Sequence, residues 1–441
     1  MNDSYTIYNQ NSTFDYTSFD DIEDAVDYLK NPDSFRTFDK GLTELLMEKE
    51  YSGKTDGIEE LSEYLISKLR KINSSVKKET VVSWFSGKHR PKIEASSRNE
   101  IYEICFALEL SYEETLWFFH HVYYDRAFNC RTIDEAVYYY AFRNHLSYPE
   151  AQALINEIAD TPASSEDFDI PENYTQFIRK SIEELESVTE LKTFLIRSRT
   201  NFGTWNKTAF DELIKLKSIL IGSPENTAVI DRLKRTIRQK QISSQKPDSK
   251  VNIQSLNLFT LADYPNCGLL IKEILYEAMD TTTYDSPVEH FLDAVNKKNI
   301  RANDFILERI LSISAGMQKV KNIPYIVRNN FPSKKTMSDI LSEDKISKSK
   351  SYDSIRKMII LLDFYCFWVE VKLGIGDTKE YSGDMLPDIY IMQIKLRLQK
   401  CGYEKLYAGN PYDWIFLCSA QSEDPLEYFR NCIDEILSDN F

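Results

Sequence analysis

The stretch on which the fold turns is Val76-Lys-Lys-Glu-Thr-Val-Val-Ser-Trp-Phe-Ser-Gly-Lys-His-Arg-Pro91. At about 100° per residue, Val76, Val81 and Trp84 share one helical face, which predicts burial against a preceding helix. Lys77, Lys78, Glu79, Val82 and Ser83 fall on the opposite face, near the helix N-terminus. Gly87 follows, where a left-handed residue ends a helix at little cost. Lys88, His89, Arg90 and Lys92 then form a basic loop of the kind that suits phosphate oxygens.

Outward from this segment the helical period holds. Leu42, Leu45, Leu46 and Met47 mark one helix, and Ile58, Leu61, Leu65 and Leu69 the next. Three capping boxes are expected downstream, at Ser111/Glu114, Thr132/Glu135 and Ser147/Glu150. In each, the hydroxyl takes a free N–H of the first turn and the glutamate reaches back to the cap residue. A short helix is expected from Asp20 to Leu29, after a loose tail. Only 13 glycines and 14 prolines serve 441 residues, which disfavours the turn-rich all-β classes. The fold class expected is all-α, a multi-helical array.

Breaks in composition suggest the divisions 1–37 (tail and short helix), 38–158 (helix-turn-helix unit), 173–242 (middle helical segment) and 251–441 (C-terminal helical domain). Thr161 to Asp169 and Ser243 to Ser249 read as connectors. There is a faint internal echo. Lys78 to Ser86 has a counterpart in Lys335 to Ser342, one residue shorter, and each precedes an apolar helix, Ile101 to Leu108 and Ile355 to Leu362. Capped helix pairs follow in both halves, Thr132 to Ile155 and Asn410 to Ile433. Degenerate duplication and mere similarity of core helices both remain open readings.

Charge adds a second signal. Between Leu65 and Glu100 nine bases (Lys68, Arg70, Lys71, Lys77, Lys78, Lys88, Arg90, Lys92, Arg98) face three acids, a local +6 in a chain of −15. A basic island on an acidic molecule fits a localised nucleic-acid footprint, whereas the acidic total disfavours non-specific coating. The seven cysteines show no C-x-x-C spacing and read as reduced thiols in a cytoplasmic protein. The polar start MNDSYTIYNQ is unlike a signal peptide, and Met358 to Val371, interrupted by Asp363 and Glu370, is too short and charged to span a bilayer.

The quoted segment resembles the recognition helix and following turn of the Cro/repressor-like (XRE) helix-turn-helix family. Its pattern of a polar triplet, Thr-Val, Trp and Gly-Lys-x-x-Pro matches without a gap over sixteen residues. Leu108-Glu-Leu-Ser-Tyr-Glu-Glu114 resembles the end of the same module, so the resemblance covers about residues 38–121. Three departures stand out. Gly57 to Ser75 is longer than usual, Ser62 or Ile66 stands where alanine is common, and Phe85 replaces a common glutamate. Arg126 to Arg131 and Asn410 to Trp414 weakly resemble large uncharacterised helix-turn-helix proteins of Firmicutes. The resemblance implies a sequence-specific, double-stranded-DNA-binding transcriptional regulator, acting as a homodimer on two half-sites. Lys77, Lys78, Glu79, Val82, Ser83, Lys88, His89, Arg90 and Lys92 would be its DNA contacts. A small molecule or protein effector would act on the C-terminal region.

Other constellations carry less. Ser52-Gly-Lys-Thr55 lacks the upstream glycine of a phosphate-binding loop, since position 48 is Glu48, and reads as a turn. His120 and His121 point about 100° apart on a helix, a poor start for a metal site. Trp117, Phe118, Phe119, Tyr123, Tyr124 and Tyr138 to Tyr140 read as core, the alternative being a ligand or peptide pocket. Neither a catalytic triad nor a dinucleotide fingerprint is recognisable, so no enzyme, cofactor or metal is expected. The rival reading is a helical interaction or scaffold protein of phage defence or mobile elements that keeps the fold without DNA contact.

Overall fold

Serine and asparagine side chains start many of the helices by taking up amides that the first turn leaves unpaired. Ser111 and Ser147 form the complete capping boxes expected with Glu114 and Glu150. At Thr132 half of the expected box forms. Thr132 Oγ1 accepts the Glu135 N–H at 3.1 Å, but the Glu135 carboxylate is drawn to the buried Arg98 guanidinium at 2.7 Å. A charge-assisted bond to Arg98 outcompetes the return bond to the cap residue.

This computed structural model describes residues 19, 21–87, 91, 93, 95–162, 174–202, 207–222, 268–270, 273, 302–342 and 352–438. Within them every regular element is helical, so the chain is an all-α, multi-helical array. The tail 1–18, the connector at Ser243 to Ser249 and most of that at Thr161 to Asp169 lie outside the described residues.

One hydrophobic core gathers most of the first half. It contains α2 (Phe38–Glu48), α3 (Ile58–Lys71), α4 (Lys78–Phe85), α5 (Ala95–Ala107) and α6 (Tyr112–Phe118), which runs into a π-turn, Phe119–Tyr123. Next come α7 (Ile133–Asn144), α8 (Tyr148–Asp160), α9 (Tyr174–Glu183) and α10 (Val188–Arg197). Tyr138, Tyr139 and Tyr140 are buried there, as the core reading of the aromatics expects.

A second core holds α11 (Lys207–Ile221), α12 (Ala302–Gly316), α13 (Tyr325–Asn330), α14 (Lys334–Leu341) and α15 (Tyr352–Leu373). It is completed by α16 (Leu386–Lys400), α17 (Pro411–Ser419) and α18 (Pro425–Ser438). The helix α1 (Ile22–Lys30) joins this core, lying against α18. Phe19, Tyr28 and Phe35 surround Trp414 with ring centroids 5.2, 4.8 and 6.2 Å away.

The structure therefore cuts across two of the expected divisions. Helix α1, assigned to a tail unit, closes the C-terminal core. The stretch 173–242 is divided, its α9 and α10 packing on the first core and α11 running along α15 in the second. Apolar faces settle these memberships: Ile178, Ile182, Leu191 and Leu195 are buried in one core, and Leu213, Leu216 and Leu220 in the other.

The echo between the halves is sharper in structure. Helices α4 and α14 are both eight residues long and align without a gap, Lys78 to Ser86 on Lys334 to Ser342. Each buries its fourth, seventh and eighth positions: Val81, Trp84 and Phe85 in one, Met337, Ile340 and Leu341 in the other. After each comes a long helix with a buried arginine. Arg98 bonds Glu135, third residue of α7, and the carbonyls of Arg126 (2.9 Å) and Ala127 (3.1 Å). Arg356 bonds Asp413, third residue of α17, and the carbonyls of Glu404 (3.4 Å) and Lys405 (3.2 Å). Both halves thus use one device: a buried guanidinium ties a helix start to the loop before it.

Candidate functional site

Helix α3 leads through the turn Ile72 to Lys77 into helix α4. Helix α4 packs directly on α3 and α2. Trp84 is 2% exposed and meets Phe38 edge-on, 6.1 Å between ring centroids. Ser62, at the position where alanine is common, fits because its hydroxyl donates back to Ile58 O at 2.6 Å and it is fully buried. Phe85 faces the core. The turn is fastened from below by Glu103 of α5, whose carboxylate accepts from Ser74 Oγ and from Ser75 N–H at 3.2 Å. Gly87 takes φ +67, the left-handed conformation expected at the helix end.

The outward flank divides the predicted contact residues into three groups. Lys77, Lys78 and Glu79 are exposed. Val82 and Ser83 are half-buried, and the Ser83 hydroxyl donates to Thr80 O at 2.7 Å. Lys88, His89, Arg90 and Lys92 lie outside the described residues. On this flank Lys78 pairs with Glu63 at 3.6 Å, through side chains 49% and 62% exposed. Such surface pairs contribute about 0–1 kcal/mol and yield readily to a stronger anion. Helix α4 begins at Lys78, so Val76 sits in the turn, half-buried against the core, and not on the helix face expected of it.

Lys77, the residue before α4, offers no side-chain oxygen to the free amides of the first turn, and none bonds there. In α14 the same place is held by Ser333, whose Oγ accepts the Thr336 N–H at 3.1 Å. The N-terminus of α4 is therefore the more open to an external anion.

The basic island is smaller than the sequence count. Arg98 is 5% exposed, locked by Glu135, Asp125, Tyr102 and two carbonyls, and takes no part in any outer surface. The guanidinium was counted as surface charge because a lone arginine in a basic run carries no sequence mark of burial.

A cavity of about 1020 Å³ opens between the cores. Trp117, His120 and His121, Arg126 to Phe128 and Arg179 line it from the first; Lys395, Gln399 and the loop Tyr403 to Ala408 line it from the second. Burial, then the charges of Lys405 and Arg356, push His120 down to about 4. Burial and then His120 push His121 down to about 3. Both imidazoles are neutral at pH 7. His121 Nδ1 lies 3.1 Å from Trp117 O, and a carbonyl can only accept, so Nδ1 carries the proton and Nε2 the lone pair. Trp117, read from the sequence as core, is half-buried at this cavity instead, because the facing wall comes from segments nearly 300 residues further on. Among the described residues no group of three or more His, Cys, Asp or Glu could hold a metal ion, and no helix is long and apolar enough to cross a membrane.

No protein-family model, no curated protein and no solved structure matches the chain.

Proposed function

We propose that the chain is a sequence-specific DNA-binding protein, a transcriptional regulator, with α4 as the helix that enters the major groove. One observation carries this reading. Helix α4 spends its apolar side on the core and leaves Lys77, Lys78 and Glu79 exposed at an uncapped N-terminus. That end is the one a helix-turn-helix directs at base edges, while its amides and lysines hold phosphates. Lys71 and Arg70, exposed at the end of α3, extend the positive surface beside it.

Reading two half-sites needs two copies of α4. Met385, just before α16, and Met392 and Leu396 on it are exposed, the last two 58% each, with the half-buried Ile389 between them in sequence. A second copy of the chain, presenting the same heptad-like row across a twofold axis, is its proposed partner.

Selection of duplexes from a random pool, followed by mobility shift, tests the proposal. One sequence class should be enriched, and Lys77→Ala/Lys78→Ala should abolish its specific retention. Retention unchanged by that double substitution removes α4 from the role. In parallel, Met392→Glu/Leu396→Glu should turn a dimer into a monomer by light scattering. An unchanged mass refutes the proposed pairing face.

A further inference from the structure

We infer that the cavity between the two cores is a binding site for a nucleotide, an organic phosphate ester that carries a planar ring. The inference is independent of the role given to α4. Four cationic side chains line the cavity: Arg126, Arg179, Lys395 and Lys405. The acids beside them are already engaged, Asp125 with Arg98 and Glu404 with Arg126, the latter at 4.0 Å. Lys395 and Lys405 make no ion pair among the described residues, and the buried Nε of Arg179 has no hydrogen-bond partner there. Burial and then the charge of Arg179 push Arg126 below the ordinary guanidinium range, an effect that its long contact with Glu404 only partly offsets. The cavity thus holds unbalanced positive charge in a partly desolvated setting, where one anion of several charges restores the balance.

The ring requirement comes from the other lining groups. Trp117 stacks on His121 (5.5 Å, 20°), and Tyr407 meets His121 at 4.9 Å and His120 at 4.5 Å. These form one aromatic chain at the cavity wall. The neutral imidazoles supply hydrogen-bonding groups that suit the edge of a heterocycle. A volume of about 1020 Å³ accommodates a base, sugar and more than one phosphate.

The site is also rigid. Its two facing loops, 125–128 and 403–408, are the ones whose carbonyls Arg98 and Arg356 hold. The π-turn Phe119–Tyr123 sets His120 and His121, and Tyr124 follows it at φ +60. Interrupted helices and left-handed non-glycine residues concentrate where binding needs them. Such fixed walls hold a ligand without first being ordered.

Isothermal titration of the full chain with ribonucleoside mono- and triphosphates of the four bases tests the inference. At least one should bind saturably at one per chain. Lys395→Gln and Lys405→Gln change exposed residues and leave the fold intact; each should weaken binding about fivefold or more, the worth of one partly screened charge pair. Lys77→Ala/Lys78→Ala should not alter it, which separates this site from the DNA-facing helix. The inference falls if no nucleotide binds, or if the Lys395 and Lys405 variants bind as the unaltered chain does. It also falls if ribose 5-phosphate or inorganic phosphate binds as tightly as the best nucleotide, because the ring then contributes nothing.

Discussion

Replacing Arg98 by methionine should destabilise the chain by about 4 kcal/mol, within the range for breaking a buried ion pair from one side. The guanidinium donates to Glu135 at 2.7 Å, to Asp125, and to the carbonyls of Arg126 and Ala127, all in the interior. Methionine fills much of the volume but makes none of these bonds. The Ala127 carbonyl keeps the Tyr102 hydroxyl, but the Arg126 carbonyl loses its arginine donor, at about 1–3 kcal/mol, and each carboxylate left charged costs more. The sum is limited because burial already pushes Asp125 above the ordinary carboxylate range, and losing Arg98 favours its neutral form further. Native stability is only about 5–15 kcal/mol, so the loss is easily measured. The assay is equilibrium urea unfolding followed by tryptophan fluorescence, with Arg98→Met/Asp125→Asn/Glu135→Gln as the companion. That triple variant should recover more than half of the loss, since it removes the charges the methionine leaves behind. A cost below about 1 kcal/mol for Arg98→Met, the value of a surface pair, would refute the reasoning.

Two further perturbations test the packing and the cavity. At Gly41 of α2 an added Cβ would stand 2.6 Å from Val122 Cγ2, so Gly41→Ala should cost about 1–3 kcal/mol despite alanine's better helix propensity. Thermal melts should show Val122→Ala restoring part of that loss; a Gly41→Ala variant as stable as the parent contradicts the close approach. His120 and His121 titrate near 4 and 3 when folded, below the ordinary value of about 6.5. The unfolded chain therefore binds their protons first as pH falls. Their contribution is fully present above about pH 6.5 and is lost as pH drops toward 4, at up to about 1.4 kcal/mol per pH unit for each. Melting temperatures from pH 7.5 to 4.5 should fall less steeply in His120→Gln/His121→Gln than in the parent, and equal slopes refute the burial of neutral imidazoles.

The helices were legible wherever a local rule fixes them. Ser111, Ser147 and Gly87 sit where capping chemistry and a left-handed φ require them. The inward set Val81 and Trp84 followed from period alone. What escaped the sequence depends on partners far along the chain. Arg98 reads as one more base until α7 brings Glu135 against it. Helix α1 reads as a detached prelude until Trp414, nearly 400 residues later, supplies its aromatic neighbours. The echo between the halves was off by one residue, because composition matched Lys78 with Lys335 while the buried positions match it with Lys334. The cavity left only half a trace, the aromatic and histidine run from Trp117 to His121, since its other wall comes from residues 395–408.

The central claim is that Lys77 and Lys78, at the start of α4, meet phosphates of a specific duplex. It is tested most directly by measuring how the affinity of the chain for its selected duplex depends on salt, by fluorescence anisotropy over a range of potassium chloride. Each phosphate contact contributes about 0.9 to the slope of log K against log salt, so Lys77→Ala/Lys78→Ala should reduce the slope by about 1.8. A double variant with the parent's slope, or a parent chain that prefers no duplex at any salt, contradicts the account.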